Sequence, residues 1–134
     1  MGREGRLKLL LDTHTFIWWD NEPARLSTVA LAACRNPGNT LHPSLGSVWE
    51  LQIKLQLGKV QLPKPLGELL HSHETNNALI VEPISRADIL ALSTLPAHHR
   101  DPFDRILIAQ AKRGDYRFVT CDPEIGKYDV EILW

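Results

Sequence analysis

The run Leu7 to Leu11, apolar but for Lys8 and closed by Asp12, is the feature that most limits how this chain can fold. Its length and position read as a fully buried strand of a parallel sheet, which puts Asp12 at the strand's carboxyl end. Thr13 to Trp19 then starts a first short helix. Ser27 to Cys34 forms a second, with Ser27 as N-cap, and Asn36, Pro37 and Gly38 stop it. Thr40 to His42 reads as a second strand. Ser44 to Leu57, with apolar Val48, Leu51, Ile53, Leu55 and Leu57, reads as a helix ended by Gly58. Leu62 to Pro65 is a proline-marked loop and Leu66 to Thr75 a further helix. Ala78 to Val81 is a third strand candidate. Ser85, followed three residues later by Asp88, opens a helix to Leu95 that Pro96 closes. Asp101 and Pro102 open a long helix through Arg113, terminated by Gly114. Arg117 to Thr120 makes a fourth strand and Glu131 to Leu133 a fifth.

Short apolar strands alternating with helices imply right-handed crossovers and an α/β fold whose parallel sheet is covered on both faces. Sites in such folds lie beyond the carboxyl ends of the strands. With 134 residues, 43% of them hydrophobic, the chain suffices for one core, so 1–134 reads as a single domain with a basic extension over Met1 to Arg6. No apolar run approaches the ~20 residues of a membrane helix, and Leu7 to Leu11 is too brief for a signal-peptide core. Cys34 and Cys121 stand in no metal-binding spacing, which suits a reducing cytoplasm. A formal charge of -1 excludes the strongly basic footprint of a passive nucleic-acid binder, so any contact with RNA is local.

Acids gather where this topology places a site. Asp12 and Asp122 each follow a strand, and Asp101 and Asp104 begin the helix just upstream of the last of these strands. Glu50 is a charge framed by Val48, Trp49, Leu51 and Ile53. Clustered carboxylates repel one another, and a hard divalent cation, Mg²⁺ or Mn²⁺, removes that conflict. Such an ion, with its waters, suits hydrolysis of a phosphodiester. Each acid also has a structural reading. Asp101 before Pro102 is a good N-cap, Asp104 favours the helix dipole, Asp122 before Pro123 caps a terminal turn, and Glu50 pairs with Lys54. Asp12 is the hardest to explain structurally, because its neighbours supply no cation.

The blocks Leu9-Leu10-Leu11-Asp12-Thr13-His14, Ser47-Val48-Trp49-Glu50-Leu51 with Lys54 and Gly58-Lys59, His99 to Arg105, Val119-Thr120-Cys121-Asp122, and Tyr128 to Trp134 together resemble the PIN-domain family. Within it they resemble the VapC-type toxins of bacterial toxin-antitoxin pairs, and the match spans nearly the whole chain. The resemblance implies a three-layer α/β/α PIN-like domain with a central parallel sheet of about four or five strands. It implies a catalytic, metal-binding quartet at Asp12, Glu50, Asp104 and Asp122, with Asp104 ranked before Asp101 and Asp101 as helix cap. Thr13 and Thr120 would orient the acids or bind water. The implied activity is Mg²⁺- or Mn²⁺-dependent cleavage of a structured RNA of the translation machinery. A small cognate antitoxin would neutralise it, and the toxin would form a homodimer or a higher assembly with its antitoxin.

Arg100, Arg105, Lys54 and Lys59 lie on or beside these blocks and are candidates for RNA phosphate contact. Arg113 is better explained by the helix dipole. His71 and His73 lack companion cysteines, which speaks against zinc. Trp18 and Trp19 read as core or dimer packing ahead of base stacking, Trp49 as packed inside the domain, and Trp134 as closing the sheet edge. Competing classes are a phosphatase with a strand-end aspartate nucleophile, a receiver domain, and a non-catalytic PIN-fold module that binds RNA or a protein. The first two want a second acid near Asp12, where His14 stands instead.

Overall fold

The computed structural model describes residues 6–98 and 101–134. The extension expected over Met1 to Arg6 therefore lies, all but Arg6, outside the described residues, and so does the candidate Arg100. Four strands run in parallel in the order β2-β1-β3-β4: β1 (Lys8–Leu11), β2 (Thr40–Pro43), β3 (Arg117–Val119) and β4 (Glu131–Leu133). Leu10 stands in register with His42 on one side and Phe118 on the other, and Phe118 with Ile132. Six α-helices are described: α1 (Thr13–Asn21), α2 (Thr28–Arg35), α3 (Leu45–Gln56), α4 (Leu66–Asn76), α5 (Arg86–Ala91) and α6 (Pro102–Gly114).

Side-chain alternation along β1 divides the core into two. Leu9, Leu11 and Val119 pack with Phe16, Ala30, Leu51 and Leu69, so α1 to α4 cover one face of the sheet. Leu10 and Phe118 pack with Ile106, Leu107, Ile108 and Tyr116, so α6 covers the other, with Ala91 and Leu92 at its margin. The three layers thus follow from a strand in which the successive residues Leu9, Leu10 and Leu11 are all buried.

Helix starts follow local chemistry. Ser27 accepts a hydrogen bond from Ala30 N, Ser44 from Gly46 N, and Ser85 with Asp88 closes a reciprocal capping box. Gly46 leaves room for α3 to lie against α6, because a Cβ there would stand 3.0 Å from the Ile106 side chain. Arg113 does more than complement a helix dipole: its guanidinium bonds Asp88 at 2.6 Å and Ser85 at 3.0 Å, tying α6 to α5. Burial pushes the Asp88 carboxyl up, but the Arg113 and Ser85 hydrogen bonds outweigh it and hold the group below its usual value.

Three expectations need correction. Ala78 to Val81 is not a strand. It runs beside β2 through Ile80 N to Leu41 O and Glu82 N to Pro43 O, and the only ladder element is an isolated Ser44–Glu82 bridge. Ala78 at φ +52° and Pro83 bound this segment and cut short any ladder. Gly114 does not turn the chain: it is the last residue of α6, and Asp115 takes the left-handed conformation after it. The glycine is needed for space, since a Cβ would come within 2.2 Å of the Tyr116 ring. Trp49 is not inside the domain but 62% exposed, its ring edge-on to Phe103 at 5.1 Å. Trp134, after β4, meets Trp18 at 6.3 Å.

Candidate active site

Beyond the carboxyl ends of β1 and β3 lies a cleft of about 270 Å³, lined by Asp12, Glu50, Asp101, Asp104 and Asp122, with Thr13, His14, Trp18, Lys54 and Cys121. Four separate elements deliver the acids. β1 ends at Asp12, whose Oδ1 accepts from Thr15 N at 2.8 Å and caps α1. Its Oδ2 accepts from the Thr120 hydroxyl at 2.5 Å. The same hydroxyl accepts from Asp122 N at 3.1 Å, so one threonine joins the acid-bearing ends of β1 and β3. Asp122 Oδ1 in turn accepts from Glu124 N at 2.9 Å, folding the chain toward the short helical turn at Ile125–Lys127.

Glu50 projects from the middle of α3 and is only 8% exposed. A charge so enclosed needs partners. Thr13 donates to its Oε1 at 2.7 Å and Lys54 lies 2.8 Å from its Oε2. Ser47 Oγ stands 2.9 Å from Thr13 Oγ1. Because Thr13 gives its one proton to the carboxylate, the Ser47 hydroxyl is the donor in that contact. Asp101 caps α6, accepting from Phe103 N at 2.8 Å and Asp104 N at 3.4 Å, and sets Asp104 in the first helical turn facing the cleft.

The field in this cleft is negative. Burial pushes the Cys121 thiol up, and the charges of Asp12 and Asp122 push it further. Among the described residues no group of three or more His, Cys, Asp or Glu side chains is drawn together closely enough to hold a metal ion as it stands. The five acids line one cleft without closing on one another. Their donors are all carboxylate oxygens, the ligand type of a hard divalent ion rather than of zinc.

The candidate cations are placed differently from one another. Lys54 lines the acidic cleft and continues into a neighbouring one of about 500 Å³, where Lys59 joins it. Arg105 turns elsewhere, donating to the carbonyls of Pro96 at 2.9 Å, Leu92 at 3.1 Å and Leu95 at 3.5 Å, so it braces the approach to α6. His73 pairs with Asp20 at 2.7 Å. A larger cleft, about 690 Å³, lies by the amino end of β2, between Asn36 to Leu41 and Thr75 to Ala78, and contains none of the five acids.

Sequence reasoning assigned no role to Ser47 or Cys121 and treated His14 only as a missing acid. Ser47 was findable, since three residues before Glu50 it shares a face of α3. Cys121 was flanked by Thr120 and Asp122 and offered no signal of its own.

Comparison with known proteins bears on this arrangement. Residues 9–131 match the family model described as PIN domain. The chain is 34% identical over 122 residues to "Ribonuclease VapC22" of Mycobacterium tuberculosis, covering 90% of this chain and 91% of the relative. Its backbone is similar to that in the crystal structure of VapBC2 from Rickettsia felis bound to a DNA fragment from the promoter, with a TM-score of 0.67 at 15% identity. That match covers 94% of this chain and 96% of the other. The FitAcB structure from Neisseria gonorrhoeae gives a TM-score of 0.57 at 18% identity, over 92% of this chain and 95% of that one.

Proposed function

Because the chain belongs to the PIN domain family, we propose that it is a toxin nuclease of the VapC type, an endoribonuclease dependent on Mg²⁺ or Mn²⁺. Its substrate in this reading is a structured RNA of the translation machinery, cut by phosphodiester hydrolysis, and a small antitoxin holds it inactive. The observation that carries the reading is the gathering of Asp12, Glu50, Asp104 and Asp122, from four distant points of the chain, into one cleft. The similarity to the matched ribonuclease and to the backbone in the VapBC2 structure supports it.

In this reading the four acids hold the ion. The chemistry such an ion would supply is an acidified water and neutralisation of charge building on the phosphate. The chain's own contribution is orientation. The α1 N-terminus and Thr120 each hold one oxygen of Asp12, and Thr13 and Lys54 each hold one of Glu50. Neither carboxylate then has to reorganise as charge develops. Lys54 and Lys59 form the positive margin along which phosphates approach, which reconciles RNA binding with a net charge of -1.

The test is direct. Purified protein incubated with RNA and Mg²⁺ or Mn²⁺ is expected to cut it, to stop on addition of a chelator, and to recover when the metal is returned. No cutting with either metal, or undiminished cutting in the chelator, would overturn the reading.

The homodimer belongs to the same proposal. Leu45, Trp49 and Ile53 recur every fourth residue along α3 and are 46%, 62% and 36% exposed. Beside them Trp49, Ile89, Leu92 and Phe103 line an apolar recess of about 210 Å³. A second copy is the occupant proposed for this face, since an aromatic set in an apolar patch is a common anchor of oligomer contacts. Trp49→Glu is expected to convert the dimer to a folded monomer, read by light scattering together with circular dichroism. A wild-type protein that is monomeric at tens of micromolar would remove the dimer from the proposal. Among the described residues no helix is long and apolar enough to cross a membrane, in keeping with a site of action in the cytoplasm.

A further inference from the structure

The acidic cleft has a second wall of different chemistry. His14 and Trp18, one turn apart on α1, both line it, with ring centroids 5.9 Å apart and planes tilted by 38°. His14 is exposed, whereas Trp18 is partly buried and packs on the core. Trp18 is itself held from other sides, by Trp134 at 6.3 Å and by the Arg25 guanidinium 5.5 Å from its ring centre. The outer, exposed ring therefore meets a braced inner one where both line the cleft.

We propose that His14, backed by Trp18, is a stacking platform for one unpaired base next to the phosphate that the acids and their ion engage. The inference rests on the nuclease reading and adds to it the requirement for a locally single-stranded RNA. A phosphate seated among the carboxylates leaves its adjoining base to project onto whatever wall faces them. Here that wall is aromatic and lacks a carboxylate, and an aromatic face suits any base because every base has a π surface. Bases inside a duplex are already stacked on their neighbours and cannot reach it. The volume of about 270 Å³ falls at the small end of ligand sites, which fits a single extruded nucleotide better than a helix.

The closing experiment measures binding and cutting separately. The probe is a twelve-nucleotide single-stranded RNA, intact or with each nucleotide in turn made abasic. Binding is read by fluorescence anisotropy on an Asp104→Asn background to suppress cleavage, with and without His14→Ala. Loss of His14 is expected to weaken binding of the intact RNA by roughly five- to a hundredfold, the range of one base–aromatic stack. One abasic position should cost the parent the same factor and cost His14→Ala nothing more, because the two changes remove one contact. His14→Phe should restore binding. Penalties that multiply at every position, or no penalty for His14→Ala, would overturn the platform, as they would if this wall served only a protein partner. Coupled binding in a wild-type protein that cuts no RNA would leave the platform standing and remove the nuclease reading. Cutting without coupling would do the reverse.

Discussion

Replacing Asp12 with asparagine is expected to lower RNA cleavage by on the order of a thousandfold or more while moving the melting temperature by only a few degrees. The magnitude follows from position. Groups that merely orient a metal ligand are worth roughly 10- to 100-fold, and a preorganised group acting on the reacting centre roughly 100- to 1000-fold. Asp12 would act as a ligand itself. The small thermal effect follows from what the side chain also does for the fold. It caps α1 through Thr15 N, and asparagine caps a helix about as well as aspartate. Its other oxygen meets the Thr120 hydroxyl, which an amide group can still engage. Asp12→Ala would confuse the two roles by removing the cap, and Asp12→Asn separates them. Single-turnover cleavage and a thermal melt on one preparation read both. Cleavage retained within tenfold of wild type would show that the acid is a helix cap and no more.

The opposite separation is expected at Phe118. It is fully buried at the centre of β3, in register with Leu10 of β1 and Ile132 of β4, and packs under α6. Phe118→Ala removes its apolar surface and leaves a cavity between sheet and helix, which costs about 3 to 5 kcal/mol. For a domain of this size that is a melting temperature lower by roughly 10 to 20 °C. The acids and their hydrogen-bond partners are untouched in composition, so cutting should persist well below the new melting point and fail as the protein unfolds. A loss under about 1 kcal/mol would mean that β3 is not a central strand of a packed sheet, and the placement of Thr120 and Asp122 would fall with it.

What could be read from the residues was governed by the range of the interaction. β1, the cap at Ser27, the Ser85–Asp88 box and the Asp101–Pro102 start of α6 are set within a few residues, and each shows in the local pattern. Asp12 and Asp122 stood out for a related reason, since strand-end placement needs only the strand, whereas Glu50 and Asp104 lie on helices and were singled out with them through the family resemblance. The failures are tertiary. Whether Ala78 to Val81 joins the sheet depends on Pro83 and on the backbone angle at Ala78. Gly114 looked like a stop signal, yet its lack of a side chain serves the Tyr116 ring. Trp49 has the composition of a core residue and a place on the surface, a combination that one chain's own packing cannot explain. Arg105 sits beside a proposed ligand in sequence, but its guanidinium spans three carbonyls of the preceding loop. The pairing of Thr13 with Glu50 needed the fold, because the two lie 37 positions apart.

The hydrogen bond from Thr120 to Asp12 joins residues 108 positions apart. During synthesis the amino-terminal strand emerges first and can pair with β2, its near neighbour in sequence, long before β3 has left the ribosome. The partner that holds one oxygen of Asp12 is made more than a hundred residues later and docks only after the entropy of closing that long loop has been overcome. A nascent or prematurely truncated chain therefore carries the first acids but lacks an assembled pocket.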